Sequence, residues 1–400
     1  MQSYKIVNDP IYGFITVPRG IFMDILDHPW FQRLRRISQL GCSHLVYPGA
    51  THTRFHHAMG AFHLMQKALQ VLEAKGTKLS DEEKKAACLA ILLHDLGHGP
   101  YSHALEGHLL PFSHEEITYT LIDELSKEMG GELDMALSIC RGKHPRNFLN
   151  QLVASQLDMD RMDYLSRDSF YTGVAEGVIS YDRITLMLNT HNDNLVLEEK
   201  GIYSLEKFLT ARKLMYWQVY LHKTAMAAEK MLLSIIRRLK LLIAEGFEPE
   251  ICPVLADILK NGDHYKTDRE WISVFTQLDD VNVLYSIKKL TQSKDKVCRE
   301  LALRFLNRKL FKVQLLDEPI SAERVLKAVE VTAKKLGLSK DEADFFVIHG
   351  SESNTAYRIN RDEIHILKKN GSILPYSQFP NQIVSSGKVE KYYFMGLDYF

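Results

Sequence analysis

His94 and Asp95 stand side by side at the end of an apolar run, Ala86-Ala87-Cys88-Leu89-Ala90-Ile91-Leu92-Leu93, and Leu96-Gly97-His98-Gly99-Pro100 follows at once. An imidazole and a carboxylate at the foot of a buried helix are costly unless something satisfies both. A divalent cation would, because imidazole nitrogen and carboxylate oxygen are both good ligands for first-row metals. Taken alone, the pair reads better as a helix C-terminus, with His94 on the macrodipole and Asp95 in water. Two other stretches change that balance. Arg54-Phe55-His56-His57 opens a second apolar-periodic segment, and the run from Asp158 to Asp168 sets four aspartates and two arginines around the apolar positions Met159, Met162 and Leu165. Those charges read either as an exposed face laced with ion pairs or as a metal ligand with its supporting groups. His57, His94, Asp95 and Asp160 together offer two imidazoles and two carboxylates. They would fill four positions of an octahedral ion and leave two for water and a phosphate oxygen. Nitrogen ligands argue against a site made for magnesium alone.

Behind that quartet lie His98, His103, His108 and His114, four histidines in seventeen residues, with Glu106 among them. Such a density suggests proton-transfer chemistry near neutral pH, with His108 the one expected to be incidental.

Helices must bring these groups together. The segment from Thr53 runs with helical periodicity to Lys75, and Gly76 is a natural residue after its end. The next helix opens with a capping box, Ser80 to Glu83, and ends at His94. A short connection predicts antiparallel neighbours, so His57 and His94-Asp95 should meet. Ser113 and Glu116 open another capped helix. Upstream, Asp9 to Val17 reads as a hairpin, followed by a helix with Asp27 as N-cap, Pro29 in its first turn and Phe31, Leu34, Ile37 and Leu40 at helical spacing. Gln32, Arg33, Arg35 and Arg36 between them form either a solvated face or an anion site. Downstream, Leu195 to Leu197, a Lys200-Gly201 turn and Ile202-Tyr203 suggest a small hairpin. A long helix is expected from Ser204 to Leu242, with Arg212, Tyr216 and Tyr220 on one face. The stretches from Asp279 and from Lys294 to Lys312 continue helical. Strands are expected at Phe345–Ile348, Ile364–Leu367, Ile373–Leu374 (after an Asn370-Gly371 turn) and Tyr392–Met395. The fold class is therefore mainly α: a helical bundle over residues 1–315 and a smaller α+β C-terminal module over 316–400.

Composition excludes some classes. Lys plus Arg equals Asp plus Glu at 50 each, so bulk charge gives no argument for nucleic acid or membrane. Basic pairs such as Arg237-Arg238 and Lys288-Lys289 read first as solvated faces, with binding of single-stranded nucleic acid the open alternative. No uncharged apolar run approaches the roughly 20 residues of a membrane helix. The first residues lack the apolar core of a signal peptide, and the five cysteines are scattered without a CxxC. These features lead us to expect a cytoplasmic protein.

The words around the candidate ligands are more specific than the ligands. Tyr47-Pro-Gly-Ala-Thr-His-Thr-Arg54-Phe-His-His57-Ala-Met-Gly60, His94-Asp-Leu-Gly-His-Gly-Pro-Tyr-Ser-His103 and Asp158-Met-Asp160-Arg-Met-Asp-Tyr164-Leu-Ser-Arg-Asp168 resemble the HD-domain phosphohydrolases. The branch they look like is the deoxynucleoside triphosphate (dNTP) triphosphohydrolases. Lys5 to Gly13, Phe31 to Arg35, Tyr220-Leu-His-Lys223 and Asn307 to Lys312 extend the likeness over roughly residues 4 to 315. The resemblance implies a helical HD fold and water attack at the α-phosphorus of a dNTP, releasing deoxynucleoside and inorganic triphosphate. It implies a divalent ion (Mn, Fe, Zn, Ni or Mg) on His57, His94, Asp95 and Asp160. Arg54 would contact phosphate, and His98, His103, Glu106 and His114 would move protons, His103 being the favoured acid. Gln39, Leu40, Arg161, Tyr164, Asp168, Arg212 and Tyr220 would line the triphosphate and sugar pocket. Lys5, Asn8, Asp27, Gln32, Arg35 and Arg308 match positions that hold an activating guanine nucleotide (GTP or dGTP) between subunits, which implies a dimeric or tetrameric homo-oligomer. The chain departs from the family pattern at His56, at Glu106 in place of aspartate and at Arg161 in place of lysine. Competing readings are an HD phosphohydrolase for monophosphates or signalling nucleotides, and a non-catalytic nucleotide-binding regulator.

Overall fold

The computed structural model describes residues 4–265, 269–355, 363–380 and 388–398. An antiparallel hairpin, β1 (Tyr4–Asp9) and β2 (Gly13–Pro18), leads into two short helices, α1 (Ile21–Asp27) and α2 (Pro29–Arg33). The expected single helix through Leu40 does not form. Pro29 disfavours helical geometry in the residue before it, so His28 is extended and α1 stops at Asp27. The cap of α2 is His28, whose Nδ1 accepts from the Trp30 N–H at 3.2 Å, and Asp27 is not an N-cap. Beyond Arg33 the chain tightens into a 3₁₀ turn and then extends at Ile37. Tertiary bonds hold it there: Arg36 pairs with Asp279, and the Ser38 N–H donates to Asp280 Oδ2 at 2.9 Å.

The bundle is built on α3 (Arg54–Ala74) and α4 (Asp81–Leu93). Ala86 to Leu93 are all buried, so the second half of α4 has no solvent face and must be wrapped. The wrapping helices are α3 together with α6 (Asp134–Cys140) and α7 (Asn147–Val153), with α5 (His114–Glu128) packed against α6. On the other side of α3 lies α8 (Met159–Thr172). The capping boxes expected at Ser80–Glu83 and Ser113–Glu116 both form, and Gly76 takes the left-handed conformation after α3.

After α9 (Tyr181–Met187) the hairpin differs from expectation. Its strands are β3 (Leu188–His191) and β4 (Asn194–Glu198), and Asn192 and Asp193, both left-handed, make the turn. Lys200-Gly201 instead belongs to a 3₁₀ turn entering α10 (Ile202–Met215). The expected long helix is broken. Tyr216–Tyr220 is a π turn, Leu221 and His222 leave helical geometry, and His222 Nδ1 caps α11 (Lys223–Ala244) by accepting from Thr224 N–H. Tyr47 donates its hydroxyl to the Gln218 carbonyl within that turn.

Four further helices complete the bundle: α12 (Pro253–Asn261), α13 (Trp271–Phe275), α14 (Asp280–Leu290) and α15 (Lys296–Leu306). The helical stretch expected to reach Lys312 ends at Leu306, and β5 (Lys312–Leu316) begins the C-terminal sheet. Then come α16 (Ala322–Leu336), α17 (Lys340–Asp344), β6 (Ile348–Thr355), β7 (His365–Leu367), β8 (Ile373–Pro375) and β9 (Lys388–Gly396). Phe345 caps α17, so β6 starts three residues later than expected. β5, β9 and β6 form one antiparallel sheet, while β7 pairs parallel with β4. The chain is thus mainly helical with a smaller α+β C-terminal part. No described helix is long and apolar enough to cross a membrane.

Candidate active site

The first turn of α3 presents Arg54 and His57 on one face, three residues apart. His56 turns back to cap the helix, its Nδ1 accepting from the Thr53 N–H at 3.1 Å. The end of α4 brings His94 and Asp95 to the same point, and the first turn of α8 brings Asp160. His57 Nε2 lies 3.4 Å from His94 Nε2 and 3.1 Å from Asp160 Oδ1. His94 Nε2 lies 3.5 Å from Asp160 Oδ1 and 3.5 Å from Asp95 Oδ1.

The ring orientations are set from behind. His57 Nδ1 meets Asp163 Oδ2 at 2.7 Å, and His94 Nδ1 meets the Ile91 carbonyl at 2.7 Å. Both acceptors require the proton on Nδ1, which leaves two Nε2 lone pairs facing two carboxylates across a few ångströms. Arg54 and His98 reach Asp95, but among the described residues no Arg or Lys side chain pairs with Asp160 at the two Nε2 atoms. The donor set fits a divalent cation. The electrostatics show that the site draws positive charge, a proton on Nε2 or a cation in its place: burial works against charge on His57, yet Asp160 and Asp163 outweigh it and push the imidazole up to about 10. Burial likewise opposes ionisation of Asp160, and His57 and His94 hold it well below the usual carboxylate range.

Asp163 belongs to a buried clasp that the sequence reading missed. Arg167 donates Nε to Asp163 Oδ2 and Nη2 to Asp163 Oδ1, both at 2.9 Å, and Nη1 to Asp9 Oδ2 at 2.9 Å. Asp163, Arg167 and Asp168 are almost fully buried, so the aspartates of α8 do not form an exposed face. The visible signal was spacing. Asp163 sits one turn after Asp160 and one turn before Arg167, beside the apolar stripe.

Beyond the quartet, Arg54 pairs with Asp95 and donates Nε to Ser102 Oγ at 3.0 Å. Asp95 Oδ1 is 3.2 Å from His98 Nε2. Burial and then Arg54 push His98 well below its ordinary value, so it is neutral. His98, His103 and His114 cluster ring against ring, and Glu106 accepts from both His103 and His114. Burial opposes charge on Glu106, but those two bonds hold its carboxyl well below the usual range. His108 is outside this group. The loop is pinned in an unusual backbone: Tyr101 and Ser102 are both left-handed. The Tyr101 N–H donates to Asp280 Oδ1 at 2.7 Å, and buried Arg33 donates twice to the His98 carbonyl. Arg33 is therefore neither solvated nor part of an anion site.

A cleft of about 890 Å³ opens from these groups. Asp95, Asp160, His98, His103 and His114 lie along it, and so do all eight expected contact residues: Gln39, Leu40, Arg54, Arg161, Tyr164, Asp168, Arg212 and Tyr220. Asp168 is gripped from two sides, by His52 Nε2 at 2.7 Å and by the Tyr220 hydroxyl at 2.8 Å. The π turn contributes Tyr216, and β6 contributes Glu352 and Ser353, with Tyr216 donating to the Ser353 carbonyl at 3.2 Å. Glu229 and Lys230 of α11 line the same cleft. None of these α11 and β6 residues carried a sequence signal. Of the six positions matched to a nucleotide between subunits, Gln32 and Arg35 bond to each other at 2.9 Å. Lys5 and Asn8 are exposed on β1, Asp27 is exposed at the end of α1, and Arg308 donates to the Leu45 carbonyl at 2.7 Å.

A helical bundle with a His/His-Asp/Asp cluster on three helices defines a class, and the chain belongs to the HD-domain family. The HD domain matches residues 54–168 and the HD associated region residues 179–249. HD domains are metal-dependent, in keeping with the donor set here. Among its relatives, the uncharacterized protein YwfO of Bacillus subtilis is 30% identical over 395 residues, covering 94% of this chain and 88% of the relative. The "deoxynucleoside triphosphate triphosphohydrolase SAMHD1 homolog" of Dictyostelium discoideum is 30% identical, covering 86% of this chain and 67% of the relative. A crystal structure titled as a phosphohydrolase from Bacteroides thetaiotaomicron superposes with a TM-score of 0.95 at 46% identity, covering 98% of this chain and 99% of that one. The protein is accordingly an HD phosphohydrolase.

Proposed function

We propose that the protein hydrolyses dNTPs to deoxynucleoside and inorganic triphosphate. The observation that carries this reading is the cleft: eight side chains of the types needed for phosphate and sugar line one cavity whose wall includes Asp95 and Asp160. A volume near 890 Å³ is ample for a nucleoside triphosphate.

His57, His94, Asp95 and Asp160 would hold the divalent cation, which supplies Lewis acidity at a phosphoryl oxygen. Arg54 and Arg161 neutralise charge that builds on the phosphoryl oxygens as water attacks the α-phosphorus. The bond from phosphorus to the sugar O5′ breaks, and the departing oxygen takes a proton from His103, whose ring is held by Glu106. The attacking water gives up a proton, and His98 and His114 pass it on to restore the one that His103 gave. Tyr220, locked by Asp168, and Tyr164 pack the sugar, Gln39 and Leu40 its base side, and Arg212 the triphosphate. Residues 1–315 carry this chemistry, and residues 316–400 lend Glu352 and Ser353 to its rim.

A guanine nucleotide activator and a dimeric or tetrameric assembly belong to the same proposal. Their support is the exposed set Lys5, Asn8, Asp27 and Arg35, the bonded Gln32, and Arg308 beside Lys223 and Lys312 in a second, basic cleft of about 220 Å³. The test is tripolyphosphate release from each dNTP with Mn²⁺ or Mg²⁺, with and without GTP or dGTP, beside Asp160→Asn. Release that the variant lacks is expected. Turnover of monophosphates alone would move the reading to another HD phosphohydrolase.

A further inference from the structure

Two segments far apart in the chain meet along one edge of the cleft. One carries Gln39 and Leu40, the other Ser102 and His103, and all four line the cavity. The Ser102 hydroxyl donates to the Ser38 carbonyl at 2.8 Å and accepts from Arg54 Nε at 3.0 Å. Gly41 lets the backbones touch, since a Cβ there would stand 3.1 Å from the Tyr101 carbonyl oxygen.

Across this edge lies Asp280, the first residue of α14, which does not itself line the cleft. Its Oδ1 accepts from the Tyr101 N–H at 2.7 Å and its Oδ2 from the Ser38 N–H at 2.9 Å. One planar carboxylate thus sets the separation of the two backbones. The two sides differ in what else holds them. On the first, the Gln39 N–H donates to the His52 carbonyl at 3.1 Å and Ser38 bridges to Thr53. On the second, Tyr101 (φ 54) and Ser102 (φ 53) sit in the left-handed region, which residues with a Cβ leave unless neighbouring bonds keep them there. Tyr101 is also the residue that starts the 3₁₀ turn Ser102–Ala104, on which His103 stands.

We propose that Asp280 is a positioning residue for the hydrolysis, holding the turn that carries His103 at a fixed distance from the sugar wall. The catalytic consequence rests on the proposed function, whereas the clamp does not. Without the carboxylate, the strained turn relaxes while its surroundings stay. Arg33 still grips the His98 carbonyl, Arg54 still pairs with Asp95, and Gln39 keeps its bond to His52. The step that suffers is the proton transfer: as the bond from phosphorus to O5′ breaks, its electron pair goes to O5′, which takes the proton of His103. A displacement of about 1 Å there costs about 10²-fold.

The test uses the full chain loaded with Mn²⁺. Asp280→Ala, Asp280→Asn and His103→Ala are compared with Val283→Ala, which cuts into the buried face of α14 and controls for lost stability. Each is assayed on a dNTP and on its analogue with sulfur in place of O5′, whose thiolate leaves without needing a proton. On the dNTP, kcat is expected to fall about 10²-fold in Asp280→Ala and less in Asp280→Asn, which keeps one acceptor, with KM changed by less than about threefold. On the sulfur analogue both variants are expected to come within about threefold of the parent, as His103→Ala does. Val283→Ala is expected to melt lower with kcat on both substrates within about twofold of the parent. Backbone exchange at Tyr101 is expected to speed up in the Asp280 variants and not in Val283→Ala. Equal losses on the two substrates, or unchanged kcat, overturn the positioning role, and unchanged exchange overturns the clamp. If Asp280→Ala does not fold by circular dichroism, Asp280→Asn carries the same comparison. If the parent turns over no dNTP, the proposed function has failed, and exchange alone decides the clamp.

Discussion

Asp163→Asn changes one atom type in a residue that touches no substrate, and its expected effects are large. In the parent, Asp163 takes the Nδ1 proton of His57 and two bonds from Arg167. The amide keeps one oxygen. Its NH₂ must then face donors in either place: the His57 ring N–H together with Arg167 Nε at Oδ2, or Arg167 Nη2 at Oδ1. Facing His57, it stabilises the other tautomer and aims a hydrogen, not a lone pair, at the cation. Loss of such a supporting group lowers metal affinity about 10–100-fold, or about 1.4–2.7 kcal/mol. In the Oδ1 place it faces Arg167 Nη2, which leaves the buried guanidinium one bond from Nε to the amide oxygen and its charge paired with Asp9. Removing one partner of a buried ion pair costs about 3–5 kcal/mol, and the surviving Asp9 bond puts this case near the lower figure. The assay is Mn²⁺ binding by equilibrium dialysis, beside thermal unfolding with and without metal. The variant should bind Mn²⁺ at least about tenfold more weakly and melt several degrees lower even without metal. Unchanged affinity and melting would refute both the tautomer argument and the clasp.

Gly60 tests the same clasp from α3. A Cβ there would stand 1.9 Å from Asp163 Oδ1 and 2.2 Å from Arg167 Nη2, so Gly60→Ala must force α3 and α8 apart. A loss of at least about 3 kcal/mol in denaturant unfolding and a fall in metal content are expected, and a well-folded, metal-replete variant would contradict the packing. Glu229 offers a pH test. Burial, opposed by Lys230 and aided by Glu352, pushes its carboxyl up from 4.5 to about 7. The folded chain then holds a proton that the unfolded chain has released, so stability falls as pH rises from the unfolded value through about 7 and the loss is complete above it. At about 1.36 kcal/mol per unit the group accounts for up to about 3 kcal/mol. Glu229→Gln should flatten that slope between pH 5 and 8 in urea midpoints, and an identical slope in variant and parent would rule the effect out.

The elements whose cause is local were legible before any coordinates. Ser80 with Glu83 and Ser113 with Glu116 are caps made within one turn, Gly76 answers to its own backbone, and the Asn370-Gly371 turn is closed by a bond from Lys368 N–H to the Ser372 carbonyl. The eight consecutive buried residues of α4 announce a helix wrapped on all sides, and the words around His57, His94 and Asp160 point to the family. Local cause also explains the errors. The periodicity of residues 204–242 continues through Tyr216–Tyr220, and nothing within the turn shows that Tyr47, far away in the chain, waits to take the Gln218 carbonyl. Residues 34–40 keep helical spacing while Asp279 and Asp280, some 240 positions on, pull them out of it.

The chemistry divides in the same way. Ligand types and their order are written in the chain, because a metal selects donor atoms. Which nitrogen faces the cation, which aspartate stands behind His57, and which carboxyls from α11 and β6 reach the cleft are settled by contacts across more than a hundred residues. Sequence spacing determines which face of a helix a side chain shares. The burial and pairing that give a carboxylate or an imidazole its charge arise only when separate helices close around it.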